Sequence, residues 1–183
     1  GSIYEDIKSQ ENMLSVMEEI NKCEVNYLIF DNLKAEQSGK EPEDVNDEVI
    51  DAVEFISRNY FVESTISNID NADMQKLYLE NQRMVIVSGN FDRKISNKTN
   101  YINQMINAVK ESSQIDPSGD PMAYAIFLSV EDDVYDSIDT NFRDIVDEFG
   151  ESYEIYKHFQ PKMLEAPDFV ICMTGLSECV DRY

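Results

Sequence analysis

Histidine, glycine and basic side chains are scarce in this 183-residue chain, and tryptophan is absent. With His158 as the single histidine, a Ser-His-Asp or Cys-His site has one possible base, and we interpret His158 as a helix-end or surface histidine. The six glycines form neither the Gly-rich loop of a phosphate site nor a Gly-x-Ser-x-Gly elbow. These absences exclude the P-loop and nucleophile-elbow classes of enzyme.

Cysteine is also rare and is not arranged in close pairs. Cys23, Cys172 and Cys179 are an odd set, so the sequence predicts reduced thiols rather than a disulfide framework or a zinc site. No apolar run approaches the roughly 18 residues that a membrane span needs, and no signal peptide is recognisable. We therefore expect a cytoplasmic protein.

Negative charge dominates what is present: 37 acidic against 15 basic residues give a net charge of −22. Such a surface repels nucleic-acid phosphates and attracts positive surfaces. The composition therefore favours a binding protein with a basic partner, not an enzyme. Direct contact with nucleic acid is left open only for Arg93, Lys94 and Lys98.

The charges are unevenly spread along the chain. Residues 41–54 carry only acidic charges, and residues 131–154 are acidic apart from Arg143. Residues 83–110 between them are mainly basic. That middle segment is either an internal counter-charge or a second binding surface, and both interpretations remain open.

Apolar periodicity predicts an α+β fold. Helices are expected over 3–20, 25–36, 45–56, 71–81, 102–109 and 138–149, the last ending at Gly150, with breaks at 38–42 and 116–121. Within the second of these, residues 27–30 alone could instead form a strand. Strands are expected at 84–87, 122–130 and 169–173. The pattern predicts a helical N-terminal half followed by a mixed α/β half with about three strands. We expect one compact domain over 1–183, with a subdivision into 3–82 and 83–183 as the alternative.

Clustered carboxylates raise metal-dependent chemistry as an alternative. At helical spacing Asp132, Asp136 and Asp139 share a face, where they could hold Mg²⁺ as in a nuclease or a phosphoryl-transfer enzyme. Asp92 and Lys94 also have the Asp-x-Lys spacing of many nuclease strands. No second ligand group is evident, so we expect no metal and no cofactor, and the enzyme remains the alternative.

Tyrosine among carboxylates suits contact with an arginine-rich surface, although the same rings could simply pack in the core. We predict that the partner-binding site lies in the more acidic C-terminal stretch rather than at 41–54. Its predicted residues are Asp132, Asp133, Tyr135, Asp136, Asp139, Glu148 and Glu151.

In size, acidity and lack of catalytic motifs the chain resembles inhibitors carried by phages and mobile elements, nearest the type II-A anti-CRISPR proteins. The resemblance implies an acidic inhibitor that binds a basic nucleic-acid-handling protein of the Cas9 type, with its guide RNA, and blocks DNA binding or cleavage. It also implies that the protein acts in the cytoplasm of a bacterial host cell. DNA-mimic antirestriction proteins are the sister possibility. A regulatory subunit for a basic host protein is a further alternative.

Overall fold

The computed structural model describes residues 32–60, 83–94, 100–112, 123–149 and 154–176, together with positions 12, 15, 16, 18, 19, 22, 72 and 73. Five helices and four strands lie in the longer ranges. The helices are α1 Asn32–Gln37, α2 Pro42–Tyr60, α3 Asn100–Lys110, α4 Asp132–Thr140 and α5 Phe142–Phe149. The strands are β1 Arg83–Gly89, β2 Ala123–Val130, β3 Glu154–Pro161 and β4 Phe169–Leu176. None of the described helices is both long and apolar enough to cross a membrane.

One mixed sheet organises the fold, in the order β1-β4-β2-β3. Strand β4 is antiparallel to both β1 and β2, whereas β3 is parallel to β2. Adjacent parallel strands require a crossover connection, and α4 with α5 provides it between β2 and β3. Because β4 runs against the other three strands, its first residues lie at the edge where β1, β2 and β3 end.

Both faces of the sheet are covered, which explains why the central strands are apolar at successive positions. On one face Ile126 and Leu128 of β2 pack in a core to which α3, α4 and α5 contribute. On the other face Ala125 and Phe127 pack with Phe55 of α2. Alternation along β2 therefore divides its side chains between two apolar cores.

Local sequence explains where α2 begins. Gly39 has a φ of +79°, a left-handed conformation that glycine adopts without strain, and it ends the turn after α1. Pro42 occupies the first helical position, where a missing N–H costs no hydrogen bond. The Glu41 N–H donates to Asp44 Oδ2 at 3.1 Å, so a side chain in the first turn accepts the backbone N–H of the residue that precedes the helix.

The predicted α+β class is confirmed, and the three predicted strands coincide with β1, β2 and β4. Strand β3 was missed because its sequence, Glu154 to Pro161, mixes charged, polar and aromatic residues without clear alternation. The single helix expected over 138–149 is wrong, since Asn141 separates α4 from α5. The helices expected before residue 25 and over 71–81 lie largely outside the described residues.

Glycine at position 89 is required by the packing of β1 against β4. A Cβ atom built on Gly89 would lie 2.6 Å from Cζ of Phe169. That ring is buried and lies 5.0 Å from the ring of Phe91, centroid to centroid, so it has little room to move. We expect Gly89→Ala to lower the free energy of unfolding by about 1–3 kcal/mol through overpacking, measured by urea denaturation. Ser88→Ala is the matched control, and equal stability of the two variants would contradict this account.

Candidate functional site

Polar and charged side chains gather at the edge of the sheet where β1, β2 and β3 end and β4 begins. Two segments form this edge: loop A, residues 90–94, follows β1, and loop B, residues 162–168, joins β3 to β4. The chain reverses between β3 and β4, so loop B comes back beside loop A although they are far apart in sequence. The order of the strands therefore creates the site.

Asp168 is the centre of this site, with a side chain only 5% exposed. Its Oδ2 accepts the Phe91 N–H at 2.8 Å. Its Oδ1 accepts from Arg93 Nη2 at 3.1 Å and from Lys162 Nζ at 2.6 Å. A buried carboxylate is costly unless it is paired and hydrogen-bonded, and here both conditions are met.

The backbone of Asp168 is engaged as well. Its N–H donates to Asn90 Oδ1 at 3.2 Å, and its carbonyl accepts the Ser129 N–H at 2.9 Å. Ser129 is itself buried near the end of β2, and its Oγ accepts the Met163 N–H at 2.9 Å. One residue thus connects loop A, loop B and the end of β2.

Arg93 extends the network to the start of α4. Its Nη1 donates to Glu131 Oε1 at 2.7 Å, while its Nη2 contacts Asp168. Glu131 is the N-cap residue of α4 but makes no side-chain capping bond, so its carboxylate is available to Arg93. Negative charge at a helix N-terminus is also favourable to the helix dipole.

A cleft of about 780 Å³ lies between loop A and loop B. Loop B contributes Leu164, whose side chain is fully exposed, and Glu165 to the lining. Loop A contributes Asp92 and Lys94, and α2 contributes Asp51. Cationic, anionic and apolar groups are thus within reach of anything that enters this cleft.

The basic middle segment serves in part as an internal counter-charge. Arg93 pairs with Glu131 and Asp168, and Lys110 pairs with Glu148 across α3 and α5. Lys94 is exposed at the cleft. Lys98 lies outside the described residues. The structure therefore supports the first of the two interpretations for Arg93 and Lys110.

The predicted partner-binding residues lie on α4 and α5, apart from Glu151, which is outside the described residues. Asp132, Asp133 and Asp136 are exposed along α4, while Asp139 pairs with Lys157 of β3. Tyr135 is buried, with its ring centroid 4.2 Å from that of Phe159, so this ring packs in the core. A contact role for the exposed carboxylates stays a prediction.

Metal chemistry gains no support from the geometry. Among the described residues, no three carboxylate, histidine or cysteine side chains converge in a way that could hold a metal ion. Asp92 and Lys94 lie in loop A, not on a strand, and the Asp92 carboxylate accepts the Lys94 N–H at 2.9 Å. The nuclease-strand interpretation of this pair is therefore wrong.

His158 is buried on β3, which corrects the expected helix-end or surface position. Its side chain faces Phe127 across the parallel pair, at 6.0 Å between ring centroids, and its Nε2 is buried without a hydrogen-bond partner. Burial lowers the pKa of His158 from its ordinary 6.5. The imidazole is therefore held neutral in the folded protein at pH 7.

Cys172 of β4 is a free thiol, as predicted. It is fully buried, and burial raises the pKa of its thiol to about 12. A thiol with such a pKa stays protonated at neutral pH and reacts slowly. Cys23 and Cys179 lie outside the described residues.

Asp168 and Asn90 were not singled out from the sequence, and Arg93 was singled out only as a possible nucleic-acid contact. Asp168 and Asn90 flank strands at positions that are routinely read as solvent-facing turns. The available signal was the position of polar residues directly beside apolar strands: Asn90 follows β1, and Asp168 precedes β4. The strand order was needed to bring them together.

No family model and no curated protein matches the sequence. Solved structures do match the fold. A GTPγS-form protofilament of TubZ from Bacillus thuringiensis serovar israelensis is similar with a TM-score of 0.71 and 15% identity, covering 94% of this chain and 51% of that one. An empty FtsZ dimer from M. jannaschii is similar with a TM-score of 0.67 and 16% identity, covering 100% and 55%.

TubZ of the Clostridium botulinum phage c-st is similar with a TM-score of 0.60 and 18% identity, covering 97% of this chain and 53% of that one. The expected resemblance to anti-CRISPR proteins is therefore wrong. The expected Cas9-type partner and the DNA-mimic mechanism depended on that resemblance and are wrong as well. The expectation of a non-enzyme is also wrong, because the similar structures include GTPγS-form and GDP-form protofilaments of TubZ. Acidity and size do not identify a family, because many proteins with unrelated folds share them. The chain spans about half the length of these TubZ and FtsZ structures and has the fold of that part of them.

Proposed function

We propose that the chain belongs to a GTP-dependent, filament-forming protein of the TubZ and FtsZ kind and takes part in its self-association. The observation that carries this is the similarity over 94% of the chain to a GTPγS-form TubZ protofilament. A contact between two different surfaces of identical subunits builds a filament when its rotation does not close into a ring. The partner is then a second copy of the chain, not a basic protein.

Three expectations from the sequence enter here as parts of the same proposal. We propose that residues 1–183 act as one compact domain, that the N-terminal half is helical beyond α1 and α2, and that the protein works in the cytoplasm. In support, the two described helices of that half precede the sheet, and α2 packs on one face of it.

Sedimentation tests assembly directly. We expect more of the chain in the pellet with GTPγS than with GDP or without nucleotide, and filaments in the pellet under negative-stain electron microscopy. Phosphate release from GTP, measured on the same samples, tests the enzymatic part. A chain that remains monomeric by light scattering under every nucleotide condition and releases no phosphate would overturn the proposed function.

Salt separates self-association from binding to a basic partner. Copies that each carry a net charge of −22 repel one another, and screening weakens that repulsion. We therefore expect the pelleted fraction to rise when ionic strength is raised from about 50 mM to about 200 mM, as the screening length shortens. Binding to a basic partner would weaken over the same range. A pelleted fraction that falls as salt is added would contradict the proposal that the copies associate despite the repulsion between their charges.

A further inference from the structure

We propose that Asp168 couples loop A to loop B, so that the two walls of the cleft open and close as one unit. Among the hydrogen bonds of the described residues, each one that joins the two loops has Asp168 as a partner. Three bonds meet this condition: the side chain accepts from Phe91 and Arg93, and the backbone N–H donates to Asn90. The hydrogen-bonded connection between the two loops therefore depends on a single residue.

The same carboxylate also holds loop B together. Lys162, at the start of loop B, donates to Asp168 Oδ1 at 2.6 Å and to the Ala166 carbonyl at 2.8 Å. The first and last residues of loop B are thus joined through one ammonium group. Arg93 of loop A and Lys162 of loop B share the Oδ1 atom, so each cation contributes to the position of the other.

Separate movement of either loop is disfavoured because of the burial of this carboxylate. The Asp168 side chain is 5% exposed, whereas Arg93 is 40% exposed and Lys162 is 23% exposed. If one loop moved away alone, a buried carboxylate would lose a cation that water could not replace without further opening. Release of one loop therefore requires Asp168 to become solvated, and this frees the other loop.

Other contacts attach each wall to the body of the protein and not to the opposite wall. In loop A, the Asp92 N–H donates to Gln104 Oε1 of α3 at 2.7 Å. In loop B, the Met163 N–H donates to Ser129 Oγ of β2. These bonds provide reporters of each wall that do not involve Asp168.

Amide hydrogen exchange on the full chain tests the coupling. With Asp168→Asn, which keeps the shape and an acceptor but removes the charge, we expect exchange at Phe91 and Asp92 of loop A and at Met163 and Ala166 of loop B to accelerate together, by tenfold or more. Amides in the centre of β2 should keep their rates. Glu165→Gln, an exposed carboxylate in loop B, is the matched control and should leave both walls unchanged.

Two further variants decide the outcome even where Asp168→Asn fails to fold. Lys162→Met changes only loop B, yet we expect it to accelerate exchange at Phe91 and Asp92 by threefold or more. Arg93→Met changes only loop A, yet we expect the same at Met163 and Ala166. Acceleration confined to the loop that carries the substitution would overturn the coupling, whatever its size.

Discussion

Asp168→Ala is expected to lower the free energy of unfolding by about 3 kcal/mol, because it removes the buried carboxylate that two cations and a buried backbone N–H share. The substitution leaves the buried Phe91 N–H without its acceptor, and it leaves Arg93 and Lys162 without the carboxylate that they both contact. Partial exposure of the two cations limits the loss, since water can reach them. Urea denaturation followed by circular dichroism measures the change.

A matched control for this variant lies in the same loop. Glu165 is an exposed carboxylate three residues before Asp168. We expect Glu165→Ala to change the free energy of unfolding by less than about 0.5 kcal/mol. If Asp168→Ala and Glu165→Ala are equally stable, Asp168 does not hold the site together. A lowered midpoint with an unchanged denaturant slope is expected, because the surface exposed on unfolding stays the same.

His158 is expected to make the folded state less stable as the pH falls below 6.5. Burial lowers the pKa of His158 in the folded protein, so below 6.5 the unfolded chain binds a proton that the folded protein does not. The contribution of this residue is therefore fully present above pH 6.5. It is lost at up to about 1.4 kcal/mol per pH unit as the pH falls, until the folded pKa is reached.

The test compares the wild-type chain with His158→Phe, which keeps an aromatic ring against Phe127 and has no titrating group. We expect the variant to be about 1 kcal/mol more stable at pH 7.5, because the unpartnered Nε2 is removed. Between pH 7 and pH 5 its stability should fall less steeply than that of the wild type. Parallel pH profiles for the two proteins would show that the pKa of His158 is not lowered in the folded protein.

Elements with strong local signals could be predicted from the sequence. Strand β2 has eight residues and is mostly apolar, because its side chains are buried on both faces of the sheet. Helix α3 has Ile102, Met105 and Ile106 at helical spacing. Strand β3 could not be predicted, because an edge strand needs no continuous apolar pattern. Its Lys157 pairs with Asp139 on one face while His158 is buried on the other.

Function was predicted less well than the fold because it was inferred from composition. A net charge of −22 determines solubility and the sign of long-range attraction, but it says nothing of which fold carries the charge. The described carboxylates that pair with Lys110 and Lys157 show that part of this charge is neutralised within the molecule. The similarity to TubZ and FtsZ depends on strand order, which sequence composition does not contain.

The sequence by itself determined the acidic surface, the helical and strand segments with clear periodicity, and the turn at Gly39 and Pro42 that starts α2. These features depend on residues within one turn or one strand of each other, so local physical chemistry is sufficient. Only the tertiary structure decided the site around Asp168. Its partner Phe91 is 77 residues away and Arg93 is 75 residues away, and they meet because β4 runs antiparallel between β1 and β2. A contact between residues so distant in sequence is determined by the order and direction of the strands, and no local pattern encodes it.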